Sequence, residues 1–169
     1  MSKFVEIAPE ELNENVFRAI GAEWMLITAG DRKACNTMTA SWGGLGVLWN
    51  ANVSFAFVRP SRYTFGFMEE KDYYSLSFFG NGHRRELKLC GTTSGRDGDK
   101  IAEAGLSPVF DAQAPYFDEA ELVLVCRKMY MDDIKPENFL DGTIKNCYPG
   151  DTDYHRVYVG EIVKVLKRV

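Results

Sequence analysis

Two stretches of the 169-residue chain carry residue types suited to holding a small polar molecule. Asn36-Thr37-Met38-Thr39-Ala40-Ser41-Trp42-Gly43-Gly44 is rich in small and hydroxyl-bearing residues, so a planar ligand can approach the main chain without steric clash. Arg59-Pro60-Ser61-Arg62-Tyr63-Thr64 places two guanidinium groups and two further hydroxyl donors, Ser61 and Thr64, within six residues. Together they suit a flat polar ring joined to an anion. Each also has a plainer reading: a half-buried strand closing in a Gly-rich turn, and a capped surface helix with two solvated arginines.

The second stretch predicts a helix through Tyr63, Phe65 and Met68, approached in extended form at Pro60 and capped by Ser61. A third stretch, Cys90 to Lys100, reads as a loop of hydroxyls and glycines opening a second helix. Gly95 frees its backbone to turn, and Ser94, Arg96 and Lys100 can converge on one phosphate. Neither the triphosphate-binding nor the dinucleotide-binding glycine pattern occurs, so the expected anion is smaller than a triphosphate.

In order and spacing, these three stretches and His155-Arg156-Val157-Tyr158-Val159-Gly160-Glu161-Ile162-Val163 resemble the flavin reductase-like family, which includes the flavoredoxins. The resemblance implies an α+β, mainly β fold: a six-stranded antiparallel split β-barrel with flanking helices, formed by residues 1–169 as one domain. It implies flavin mononucleotide (FMN) as cofactor, with Met38, Thr39, Ala40, Ser41 and Trp42 along the ring. Arg59, Ser61, Tyr63 and Thr64 would hold the phosphate and ribityl end, closed over by Ser94, Gly95, Arg96 and Lys100. His155 is the one catalytic candidate, at a position that in the family approaches the flavin or a nicotinamide. Further implications are a homodimer, NADH or NADPH as co-substrate, and alternatively a redox protein partner as in the flavoredoxins. One departure is that Trp49-Asn50-Ala51-Asn52 stands where many members carry a proline.

Positioning such residues requires one core, and a chain of this length with 46% hydrophobic residues supplies it. The net charge of −4 argues against nucleic acid and anionic membrane as partners, which call for a basic face. Cys35, Cys90, Cys126 and Cys147 are widely spaced, without a C-x-x-C pair, so no metal site is expected. Nothing around Cys90 or Cys147 marks an activated thiolate, and His83 reads as a solvated helix-start residue. The first residues lack an apolar signal core and no run reaches membrane-spanning length, which predicts a cytoplasmic protein.

Six runs of aromatic and β-branched residues read as strands: 24–29, 37–42, 53–58, 73–79, 121–130 and 157–166. Residues 9–20 read as one amphipathic helix with Leu12, Val16, Phe17 and Ile20 on one face. Residues 131–153 read as a short helix near Glu137 followed by a loop, either over a site or a plain surface connection. The aromatic content of 13% raises an oligonucleotide-binding β-barrel as a rival, but its alternation along the strands favours a core.

Overall fold

The computed structural model describes residues 3–169. Its strands are β1 (Phe4–Ile7), β2 (Met25–Gly30), β3 (Cys35–Ala40), β4 (Gly43–Leu48), β5 (Ala51–Val58), β6 (Tyr73–Phe78), β7 (Pro108–Val109), β8 (Tyr116–Phe117), β9 (Leu122–Asp133) and β10 (Arg156–Arg168). Three helices interrupt them: α1 (Tyr63–Glu70), α2 (Arg84–Thr92) and α3 (Lys100–Glu103). Seven strands follow the order β3-β2-β6-β9-β10-β5-β4, with β1 joining as an eighth through β10, and β7 and β8 pair apart. Every pairing is antiparallel.

Period-two alternation explains the layering, because successive side chains of a strand point to opposite faces. Met25, Ile27 and Ala29 of β2, Tyr74, Leu76 and Phe78 of β6, and Leu122, Leu124 and Cys126 of β9 share the barrel core. The intervening Leu26, Val123 and Val125 join a second cluster with Leu87, Cys90, Ile101, Leu106 and Phe117. Helix α2 buries Leu87 and Cys90 there, so the helices cover the outer face of strands that are already filled within.

All six strands expected from the sequence are present, and β1 and β4 extend the sheet. Strand β4 corrects the expected Gly-rich turn: Gly43, Gly44 and Gly46 pair with Ala56, Phe55 and Val53 as regular strand. Gly43 tolerates this because a Cβ there would lie 2.9 Å from Met25 Cε and 3.0 Å from the Phe55 carbonyl oxygen. The turn instead falls at Trp49-Asn50, both at positive φ (51° and 57°), which matches the twist of a two-residue hairpin.

The helix expected over residues 9–20 is broken. A 3₁₀ turn, Pro9–Glu11, is followed by a separate helical turn that runs into a π-helical segment, Arg18–Ala22. Asn15 starts this second piece, its Oδ1 accepting from the Arg18 amide at 3.1 Å. Ile20, Leu12 and Val16 still pack on the barrel core, but Phe17 is 90% exposed. No helix of the described residues is long and apolar enough to cross a membrane.

Candidate functional site

Strand register assembles the first part of the site. Val58 of β5 pairs with Arg156 of β10, which sets Arg59 and His155 side by side just beyond the paired residues. Gly43 of β4 pairs with Ala56, bringing Trp42 to the same end of β5. Strands β3 and β4 are the two ends of the strand path, and Ser41-Trp42 crosses between them. As an edge strand, β3 leaves alternate backbone N–H and C=O groups without a ladder partner.

The result is a cleft of about 200 Å³ lined by Met38, Thr39, Ala40, Ser41, Trp42, Phe57, Arg59, Arg62 and His155. His155 is buried, its ring 5.1 Å from that of Trp42 and 6.4 Å from that of Phe57. Burial first, and then the neighbouring Arg59 charge, push the His155 pKa down to about 4, against the opposing influence of Asp153. At neutral pH its imidazole is uncharged.

A second cleft of about 220 Å³ is lined by Ser61, Arg62, Tyr63, Thr64, Thr92, Thr93, Ser94, Arg96 and Lys100. Arg62 borders both clefts. Its Nη1 donates to the Gly91 carbonyl at 3.0 Å, and Lys100 Nζ donates to the carbonyls of Cys90 and Thr93, both at 3.0 Å. The two cations therefore sit on carbonyls at the C-terminal end of α2, where the helix presents partial negative charge. Among the described residues no carboxylate lies within ion-pair distance of Arg62 or Lys100. Burial first, and the nearby Arg62 second, lower the Lys100 pKa to about 8.

Several expectations change at this level. Ser61 does not cap α1, whose N-cap is Arg62 with no side-chain capping bond; the Ser61 amide and Oγ donate to Asp153 Oδ1 and Oδ2 at 2.9 and 2.6 Å. The start of α3 is not open to an anion either, because the Asp99 side chain accepts from the Ala102 amide. Cys90 to Thr92 belong to α2 rather than to a loop. Arg59 lines the first cleft rather than the second, donating to the Cys147 carbonyl at 2.8 Å with its guanidinium 4.9 Å from the Tyr148 ring centre. Gly95 does not line the second cleft but another, beside Asn36 and Tyr63, where a Cβ would meet Asn36 Oδ1 at 2.2 Å and Tyr63 Cδ1 at 2.7 Å. Arg96 bridges the cleft rim, donating to the Ser61 carbonyl at 3.1 Å while its guanidinium carbon lies 5.1 Å from the centre of the Tyr63 ring.

The connection between β9 and β10 is no plain surface crossing. It carries two 3₁₀ turns, Pro136–Asn138 and Gly142–Cys147, and returns Tyr148 and Asp153 onto the site. Neither residue was found from sequence, since no local pattern ties Asp153 to Ser61 or Tyr148 to His155. Phe57 and Thr93 were also missed; Phe57 had a signal in the alternation of β5 leading directly into Arg59.

A family model described as "Flavin reductase like domain" matches residues 17–168. The chain belongs to the flavin reductase-like family. Among solved structures, it is similar to an FMN-binding domain of a flavin reductases-like enzyme from Shewanella baltica (TM-score 0.70, 13% identity, 99% of this chain and 78% of that one). It is also similar to flavoredoxin from Methanosarcina acetivorans (TM-score 0.65, 23% identity, coverage 94% and 75%). A third likeness is to the NADH:FAD oxidoreductase SgcE6 of Streptomyces globisporus, solved with NAD and FAD fragments (TM-score 0.61, 16% identity, coverage 86% and 74%). A search of curated proteins gave no match. Because β3 and β4, the two ends of the strand path, do not pair with each other, this flavin reductase-like domain is a split rather than closed barrel.

Proposed function

We propose that this flavin reductase-like protein binds FMN and catalyses hydride transfer from NADH or NADPH to the flavin. The observation that carries the reading is the meeting at Arg62 of two clefts: one partly aromatic and bordered by the edge strand β3, the other lined by hydroxyls and by cations without an ion-pair partner among the described residues. A planar polar ring with a phosphate-bearing tail matches that division in shape and in charge.

The donor set fits the group. Ala40 and Ser41 leave the β3 backbone approachable by the ring, with Met38, Thr39, Trp42 and Phe57 beside it. Arg62, Lys100, Arg96, Ser61, Tyr63, Thr64 and Ser94 would hold the tail, and a dianion there would offset the repulsion between Arg62 and Lys100. Bound flavin supplies the redox chemistry as the hydride acceptor. The chain's own part is to orient the reactants and keep bulk water off one ring face, and no side-chain nucleophile is required. The same reading includes a homodimer, in which a second copy covers the half-exposed Trp42 at the cleft rim, and a cytoplasmic setting.

Purified protein is expected to be yellow or to become so with FMN. In stopped-flow, NADH or NADPH should bleach the bound flavin at a rate that supports turnover. If neither does while a reduced redox protein does, the alternative suggested by the flavoredoxin likeness, an electron carrier fed by a protein partner, replaces the reductase reading. Salt-sensitive oligonucleotide binding by protein that stays colourless would instead favour the nucleic-acid rival.

Lys100 makes FMN binding pH-dependent. Its pKa near 8 without ligand rises when a phosphate dianion is bound, so affinity holds between about pH 6, where the phosphate gains its second charge, and about pH 8, and falls as pH climbs further. The fall is up to about tenfold per pH unit until the ligand-bound pKa is reached. Riboflavin, lacking the phosphate, should show a flat profile. Equal slopes for the two in fluorescence-quenching titrations would remove the phosphate from the neighbourhood of Lys100.

A further inference from the structure

His155 and Tyr148 form a pair whose consequences go beyond lining the cleft. Tyr148 Oη lies 2.7 Å from His155 Nδ1, both residues being buried. Tyr148 is held from its other side, its ring 4.6 Å from that of Tyr154, stacked at 6.3 Å on Phe139, and covered by the Arg59 guanidinium. Besides the ring nitrogen, the hydroxyl faces the His155 backbone amide, which is a donor, so no second acceptor among the described residues stands ready for its proton. If it accepted from Nδ1–H, its own proton would be left without an acceptor in a buried site, at a cost of about 1–3 kcal/mol. Donating to Nδ1 avoids that cost and places the imidazole proton on Nε2.

Nε2 itself bonds to no protein group among the described residues. The buried side-chain polar atoms without partners are Ser77 Oγ and Arg168 Nη2, so Nε2 is not sealed off. His155 lines the ring cleft, and what little of it is exposed opens there.

We infer that Tyr148 is a positioning residue that locks His155 as the neutral Nε2–H tautomer, so that His155 offers a hydrogen-bond donor to a carbonyl oxygen in the ring cleft. The tautomer stands on the protein alone; the carbonyl acceptor rests on the proposed flavin reading. A neutral donor differs from an imidazolium in a way that matters beside Arg59: it polarises a carbonyl without adding a second positive charge next to the guanidinium. The charged and titratable groups facing the imidazole are Arg59 from the end of β5, and Asp153 and Tyr148 from the β9–β10 connection. Burial and Arg59 outweigh Asp153, which keeps the ring uncharged through the physiological range.

The chain has two histidines, so imidazole-¹⁵N NMR of the whole protein is readable, with His83→Gln assigning the signals. The expected spectrum without ligand shows His155 Nδ1 as the unprotonated ring nitrogen and Nε2 as the protonated one, with no titration between about pH 5 and pH 8. Tyr148→Phe should mix the two tautomers. An Nδ1–H tautomer in the parent protein, a midpoint near the ordinary histidine value, or an unchanged tautomer ratio in Tyr148→Phe would each overturn the lock. Addition of FMN should then shift the Nε2–H signal, assigning the acceptor to a ring carbonyl. A shift that appears only when oxidised NAD is added to the FMN-loaded protein assigns it to a carboxamide carbonyl. No shift with either, although flavin fluorescence is quenched, overturns the donor role. Absence of any flavin binding would sink the flavin reading and the carbonyl acceptor with it, while leaving the tautomer to be judged on the ligand-free spectrum.

Discussion

Arg62→Ala is expected to weaken FMN binding by about 2–3 kcal/mol, roughly 30- to 150-fold, while riboflavin binding changes much less. Among the described residues Arg62 is the one side chain bordering both clefts, and no carboxylate lies within ion-pair distance of it, Asp153 acting on it only from farther off. Its bond to the Gly91 carbonyl uses only one of its five N–H donors, so the guanidinium retains capacity for a phosphate. Burial is the main cause of the lowered Lys100 pKa and Arg62 the second, so removing Arg62 should move the pH at which FMN affinity begins to fall upward in part. Arg59→Ala provides the contrast: that side chain is committed to the Cys147 carbonyl and the Tyr148 ring, and its loss should affect FMN and riboflavin alike. An unchanged FMN-to-riboflavin preference in Arg62→Ala would place the phosphate elsewhere.

A large effect on stability is expected at a residue with no part in binding. Gly160 lies in β10 at a register shift against β9, and a Cβ there would stand 2.3 Å from Tyr74 Oη and 2.8 Å from two atoms of its ring. Tyr74 is fully buried in the barrel, and its hydroxyl is 2.7 Å from Ser54 Oγ, which in turn lies 3.2 Å from Cys126 Sγ. The ring has no room to retreat without breaking that contact. Gly160→Ala should therefore cost about 3 kcal/mol or more, from overpacking plus a strained buried hydrogen bond. In a thermal melt this is a fall of roughly 6–12 °C. Combining it with Tyr74→Phe removes the nearest clash and should recover at least about 1 kcal/mol as a coupling energy, the ring contacts keeping the recovery partial. A loss below about 1 kcal/mol in the single variant would contradict this packing.

Much of the fold was legible because its signals are local. Met25-Leu26-Ile27-Thr28-Ala29 and Leu122-Val123-Leu124-Val125-Cys126 are short apolar runs with β-branched residues, of strand length, and the structure covers both of their faces. Strand β4 was not legible, since Gly-Gly-Leu-Gly has the composition of a turn; it is a strand because β5 supplies its hydrogen bonds and Phe55 stands beside Gly44 and Gly46. The helix expected from Pro9 failed for a related reason: Asn15 bonds the Arg18 amide and restarts the turn, overriding the apolar spacing.

The chain's own text determined the chemistry on offer: small residues at Thr39-Ala40-Ser41, paired guanidiniums at Arg59 and Arg62, and hydroxyls and cations from Ser94 to Lys100. Only the tertiary structure decided the division of labour. Register between β5 and β10 sends Arg59 to the imidazole of His155, and the C-terminal carbonyls of α2 draw Arg62 and Lys100 to the other cleft. Asp153 takes Ser61 and Tyr148 takes His155 across a connection that has no periodic pattern. Side-chain type is written residue by residue, whereas partnership depends on which backbones the sheet brings together, and that is a property of long-range pairing rather than of local sequence.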